Sequence, residues 1–266
     1  MSSLSVLHRV SIPAPQTHVV EVETVLTASA GALPDEVVFF MPVWSPGSYL
    51  VREYSRHVEG LSAEPPARAD KLRKNAWRVD TGGGAQVLIR YRVYANELTV
   101  RTSHVDETHA FLVGAALFFA VEGHLDARTR VELHAPEGWK AATSLREAGG
   151  GYEAPDYHTL VDSPIELGTH REERFSVLGV PHRYSIWPAD GVPGNRVAAL
   201  VEDTKKLLEL EATLFGGRLP YDAYELLLHV SPRSRGGLEH MASAALIATP
   251  SSFASRDGYL DVLSLV

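Results

Sequence analysis

A chain of 266 residues, 45% hydrophobic and 22% charged, is long enough for one large domain or two ordinary ones and has the composition of a globular protein. Its 25 basic and 33 acidic residues give a formal net charge of −8, which argues against a general nucleic-acid binder. Cysteine is absent, so disulfides, thiolate metal sites and a cysteine nucleophile are excluded.

The first residues, Met1 to Arg9, carry no basic leader followed by an apolar core. The longest nearly apolar run, Ala110 to Val121, is too short to span a bilayer and reads as a buried strand or pair of strands. The expectation is a cytoplasmic protein with no membrane partner.

From Val6 to about Val177 the pattern is one of short strands separated by turn residues. Val19 to Leu26 alternates as a partly exposed strand, and Glu36 to Val43 is a denser run that ends at Pro42. Trp44-Ser-Pro-Gly-Ser-Tyr49 is a turn with both Pro and Gly. Gly82-Gly83-Gly84 separates Ala76–Val79 from Val87–Tyr94 in a hairpin-like pair. Further strands are expected at Leu98–Thr102, Thr129–His134, Tyr157–Val161 and Glu173–Leu178, and one more at Pro181–Trp187.

The pattern then changes. Pro188, Gly191, Pro193 and Gly194 mark a linker, and Asn195 is placed to cap a long helix. Val197, Leu200, Val201, Thr204, Leu207, Leu208, Leu214 and Phe215 follow helical spacing, with Gly216-Gly217 closing it. Tyr224–Val230 and Leu238–Ala248 read as strands, and a helix begins near Arg256. Tyr259, Leu260, Leu263 and Val266 keep helical spacing to the last residue, which reads as a truncated chain whose exposed apolar surface allows self-association. The expected fold is mostly β with an α+β C-terminal part. An N-terminal β-sandwich or saddle-like all-β domain occupies residues 1–178, and an incomplete second domain occupies 179–266.

Candidate chemistry concentrates in a few places. His104, Asp106 and His109 form the densest group of metal-ligand types, but the histidines stand at i, i+5 rather than the i, i+4 of a zinc helix, so the reading is a polar loop between strands. Ser45 and Ser48 lack the Gly-x-Ser-x-Gly elbow of a serine hydrolase. Gly236-Gly237-Leu238-Glu239-His240 admits two readings. It is either a hairpin turn with Glu239 paired to Arg233 or Arg235, or a ligand site whose glycines permit close backbone approach beside a carboxylate that holds a cation.

Three stretches occur together and in order: Met41-Pro-Val-Trp-Ser-Pro-Gly-Ser-Tyr-Leu-Val-Arg-Glu-Tyr-Ser-Arg-His57, Leu98-Thr-Val-Arg-Thr-Ser-His104 and Gly236-Gly-Leu-Glu-His240. In these the chain resembles the glycyl aminopeptidase family of zinc metallopeptidases, gluzincin relatives of the aminopeptidase N group. The resemblance implies an all-β domain followed by the start of a thermolysin-like catalytic domain, and usually a PDZ domain beyond it. It implies a peptide substrate with a free N-terminus, Glu239 as the anchor of its amino group, and Gly236, Gly237 and Leu238 as pairing backbone. His240 stands where the aminopeptidase relatives have Asn. The family's zinc is held by a His-Glu-x-x-His motif and a later glutamate. None of these is in the 266 residues, so the expectation is zinc in a longer protein, with no catalytic residue, no metal ligand and no activity in this chain alone. The alternative from another class is a non-catalytic β-rich module that binds a peptide or protein.

Overall fold

The computed structural model describes residues 4–266. In chain order the first elements are β1 (Leu4–Ser11), β2 (Val19–Ala28), β3 (Glu36–Phe40), β4 (Val58–Ala63), β5 (Arg68–Arg73), β6 (Ala76–Asp80) and β7 (Gln86–Tyr94). They are followed by β8 (Asn96–Thr99), β9 (Thr102–Val105), β10 (His109–Leu112), the short helix α1 (Gly114–Leu117) and β11 (Ala120–Val121). Next come β12 (Arg128–His134), β13 (Lys140–Thr143), β14 (Arg146–Ala148), β15 (Gly151–Ala154), α2 (Tyr157–Val161) and β16 (Ile165–Gly168). The chain closes with β17 (Arg171–Val177), β18 (Val180–Trp187), α3 (Gly194–Ala212), β19 (Tyr224–Val230), β20 (Gly236–Glu239), β21 (Ser243–Ala248) and α4 (Arg256–Leu263).

Four sheets result, so the mostly-β expectation with an α+β C-terminal part holds. A seven-stranded sheet has the order β14-β15-β12-β1-β2-β7-β4, and a four-stranded one runs β11-β3-β6-β5. A third has the order β13-β16-β10-β9-β8 and a fourth the order β17-β18-β19-β21-β20. Alternation buries one face of each outer strand: along β7, Val87, Ile89, Tyr91 and Val93 are buried while Arg90 and Arg92 face out. Phe119 meets Trp77 edge-on at 5.1 Å and Tyr91 at 4.7 Å, tying the four-stranded sheet to the seven-stranded one.

Several expectations are corrected. β6 and β7 do not pair. β6 lies between β3 and β5, and β7 between β2 and β4, so Gly82-Gly83-Gly84 carries the chain from one sheet to another. Tyr157–Val161 is a helix, because the Asp156 carboxylate caps Thr159 N at 2.7 Å and Tyr157, Leu160 and Val161 bury one helical face. Asn195 lies inside α3 rather than capping it, and Arg196 N donates to the Pro193 carbonyl at 2.7 Å. Leu98–Thr102 divides into β8 and β9, and the Ala110–Val121 run holds a helix between its strands.

The last sheet positions the site. α3 connects β18 to its parallel neighbour β19, β21 is parallel to β19, and β20 runs antiparallel along β21 as the outermost strand. Its two faces belong to different cores. Leu227, Leu238, Ala245 and Ile247 join the core shared with the N-terminal sheets. Leu226, Leu228, Ala244 and Leu246 pack with Leu200, Tyr259 and Val262 of α3 and α4. β17 pairs with β18 along its whole length, so residue 178 falls at the turn of a hairpin within this sheet.

Candidate functional site

Residues 238–248 form two strands rather than one. Gly236–Glu239 pairs with Ala244–Ile247, and His240 N donates to the Ser243 carbonyl at 2.8 Å to close the hairpin. β20 has no strand on its other side among the described residues, so its outer backbone is an open edge.

Each side of this strand is fixed by a close contact. Ser45-Pro46-Gly47-Ser48 is a turn, with Ser48 N donating to the Ser45 carbonyl at 3.0 Å and Gly47 at φ +76°. Pro then Gly at its centre suits a type II turn. A β-carbon on Gly47 would lie 2.8 Å from Leu238 Cδ1 and 3.3 Å from the Glu239 carbonyl oxygen. On the opposite face a β-carbon on Gly237 would meet Leu265 at 3.3 Å, and on the Leu238 face one on Gly236 would lie 3.8 Å from Val100. The three stretches that carry the resemblance therefore meet around β20, although nearly two hundred residues separate the first from the last.

Glu239 is exposed, and no hydrogen bond or ion pair engages its carboxylate among the described residues. The paired reading fails because Arg235 is turned to Asp261 of α4, at 3.3 Å. Strand alternation puts Glu239 on the face of Gly237 that looks toward Leu265 and the end of α4. His240, one residue on, points the other way. Its Nδ1 donates to Asp162 Oδ1 at 2.8 Å, and Met241 N donates to Asp162 Oδ2 at 2.8 Å. The His240 ring is almost wholly buried and serves to bind the hairpin to the end of α2.

A second constellation was not legible in the sequence. Glu166 of β16 accepts from His109 Nδ1 at 3.0 Å and from His229 Nε2 at 2.8 Å, and all three residues are fully buried. Trp187 stacks on His109 at 3.5 Å. Burial alone would raise the Glu166 carboxyl, but the two imidazoles more than offset it and hold it down at about 2. Two histidines and a carboxylate are the donor types of a metal centre. Here both carboxylate oxygens are engaged by imidazoles and all three side chains are fully buried, so the group links the third and fourth sheets. His104, Asp106 and His109 also lie together, but Asp106 is spent on its own loop, accepting from Thr108 N at 2.8 Å and His109 N at 3.1 Å. Neither set includes Glu239, and residues 57 and 63 positions apart offer no spacing signal to a sequence reader.

A model of the Peptidase M61 N-terminal domain matches residues 8–169. Among solved structures, an aminopeptidase N family protein from Idiomarina loihiensis is similar over 98% of this chain and 46% of its own, with 29% identity and a TM-score of 0.88. A mutant M1 zinc metallopeptidase from Deinococcus radiodurans, bound to a Tyr-Ser-Ala substrate, is similar over 98% of this chain and 63% of its own, with 14% identity and a TM-score of 0.56. Yeast LTA4 hydrolase is similar over 98% of this chain and 43% of its own, with 10% identity and a TM-score of 0.54. The chain thus spans less than two thirds of each of these proteins, and the two more distant likenesses establish the fold alone. No curated protein sequence matches.

Proposed function

The chain belongs to the Peptidase M61 N-terminal domain family, and we propose that it is the N-terminal portion of a zinc-dependent aminopeptidase of the glycyl aminopeptidase kind. In this reading a peptide adds to the open edge of β20, pairing with the backbone of Gly236, Gly237 and Leu238. Its free amino group is held by Glu239. The observation that carries the reading is that Glu239 stands exposed and unpaired at the end of an open edge strand, on the face shared with α4.

Edge addition supplies binding that tolerates any side chain, because the backbone makes the contacts. The carboxylate–ammonium contact then selects a chain end over an internal segment. His240 keeps its place in the site as the residue that locks the hairpin, through Asp162, so that Glu239 projects from a fixed strand. The zinc of the whole protein would polarise the scissile carbonyl and activate water. In this reading the chemical step belongs to the rest of the enzyme and substrate orientation to this chain.

The test is Glu239→Ala in the full-length protein, assayed on free and N-terminally acetylated versions of one peptide. Loss confined to the free peptide supports the anchor. Equal loss on both would sink it.

A further inference from the structure

The tip of the β9–β10 hairpin gathers three donors on one face. Ala110 pairs with Val105 and Phe111 with His104, and Asp106 N donates to the His109 carbonyl at 3.0 Å. Alternation from that register puts His104, Asp106 and His109 on the same side. The i, i+5 spacing that is wrong for a zinc helix is therefore no obstacle on a hairpin. One donor atom from each residue lies within 4.8 Å of one from each of the others, and the His104 and His109 rings are 5.1 Å apart.

Asp106 spends only one of its oxygens on its own loop. The bonds from Thr108 N, Thr108 Oγ1 and His109 N all fall on Oδ1, while Oδ2 faces His104 Nε2 at 3.1 Å. His109 gives its Nδ1 proton to Glu166, which leaves the lone pair of the ring on Nε2. That nitrogen is wholly buried and has no hydrogen-bond partner among the described residues. Orphaned buried polar atoms are rare, because each forfeits a hydrogen bond to water. An imidazole that donates to a carboxylate through one nitrogen and presents the other bare is arranged as metal-bound histidines are.

We propose that this hairpin tip binds a divalent transition-metal ion of the zinc class through His104 Nε2, Asp106 Oδ2 and His109 Nε2. Two imidazoles and a carboxylate suit zinc, cobalt or nickel, whereas magnesium and calcium want an all-oxygen shell. A tetrahedral zinc keeps its ligand atoms about 3.3 Å apart, so the 3.1 Å between Asp106 Oδ2 and His104 Nε2 is already near one edge. His109 is fixed between Glu166 and the stacked Trp187, and the other two side chains have the freedom to close on it. Asp106 is 34% exposed, which gives an ion its entry and leaves room for a water ligand. Because Glu166 also accepts from His229 of β19, the ion would clamp the hairpin to the fourth sheet.

The test is calorimetric titration of the 266-residue chain, stripped with a chelator, with zinc, and cobalt absorption as a second readout. One equivalent should bind, with visible d–d bands in the cobalt form and a raised melting temperature. Asp106→Asn keeps an oxygen for the Oδ1 bonds and puts an amide nitrogen where Oδ2 stands, so it should fold. It should bind zinc about a hundredfold more weakly, since losing a ligand costs at least as much as losing a ligand's hydrogen-bond partner. His134→Ala, which removes an exposed histidine elsewhere, should bind as the parent does. No one-to-one zinc binding, no d–d bands, or equal affinity in Asp106→Asn overturns the proposal. So does loss of binding in His134→Ala, or displacement of zinc by equimolar magnesium.

Discussion

Gly47 approaches Leu238 so closely that a β-carbon on the glycine would sit 2.8 Å from Leu238 Cδ1. The turn that opens the first shared stretch is therefore the seat of the strand that ends in Glu239, and Leu238, 1% exposed, is the residue that plugs into it. Gly47→Ala meets two costs, the left-handed backbone at φ +76° and the displacement of a buried leucine. Gly31→Ala meets the first alone, since Gly31 has φ +72° and nothing within 4 Å of a β-carbon. Denaturant unfolding should show Gly47→Ala losing on the order of 1–3 kcal/mol more than Gly31→Ala. Equal losses would mean that the turn does not bear on Leu238.

Glu239→Gln should separate binding from stability. The side chain is exposed and unpaired, so its replacement is expected to change unfolding free energy by less than about 0.5 kcal/mol. On the proposed anchor reading, the same change in the full-length protein should lower turnover of free peptides by roughly 10–100-fold, the worth of a charge-assisted contact made at a partly desolvated site. A matched fall in melting temperature would instead identify Glu239 as part of the fold.

How much of this could be read from residues differs from element to element. α3 was legible because Val197, Leu200, Thr204 and Leu208 bury one stripe at helical spacing. Tyr157–Val161 was not, since five residues are too few for periodicity to separate helix from strand, although Asp156 before them was the available cap signal. Leu238–Ala248 looked continuous because its turn, His240–Ala242, contains no Gly or Pro. What holds that turn is a side chain 78 residues away, Asp162. The chemistry of Glu239 was legible as a carboxylate after two glycines. Its freedom was not, because that depends on Arg235 turning to Asp261. Glu166 and His229 gave no signal at all. A buried hydrogen-bonded group of this kind is assembled by sheet packing, and neither residue differs locally from a surface one.

Two buried glutamates should bend the pH–stability curve in opposite directions. Burial pushes the Glu225 carboxyl up to about 7, even though Arg183 at 2.7 Å and Ser185 at 2.8 Å favour its ionised form. A raised folded value means the contribution is fully present below the unfolded value near 4.5 and is lost as pH rises through 7. Glu225→Gln should therefore gain on the parent by about 2–3 kcal/mol between pH 5 and pH 8, in unfolding curves measured at both. Glu166, held at about 2 in the fold, contributes above 4.5 and loses that contribution as pH falls toward 2. Glu166→Ala should be the more costly change at neutral pH, by about 3 kcal/mol, because it leaves His109 and His229 buried without their shared acceptor. A pH-independent difference between parent and Glu225→Gln would remove the premise that its carboxyl titrates near neutrality.

Asp162 offers the sharpest test of how the anchor strand is held. Its two oxygens accept from His240 Nδ1 and Met241 N, so Asp162→Ala strands a nearly buried imidazole nitrogen and frees the hairpin turn, at a cost of about 1–3 kcal/mol. Asp162→Asn keeps a carbonyl oxygen for Met241 N and can offer its amide N–H to the His240 ring in the other tautomer, so it should cost less than about 1 kcal/mol. Hydrogen exchange gives the local readout. The amides of His240 and Met241 should exchange faster in Asp162→Ala and near the parent rate in Asp162→Asn, while those of β19, deep in the same sheet, stay protected in both. Were exchange to rise equally across β19 and the hairpin, Asp162 would be supporting the whole sheet. Were it unchanged in both variants, the hairpin would owe its position to the Gly47 turn alone, and the free amine site would be expected to survive the loss of Asp162.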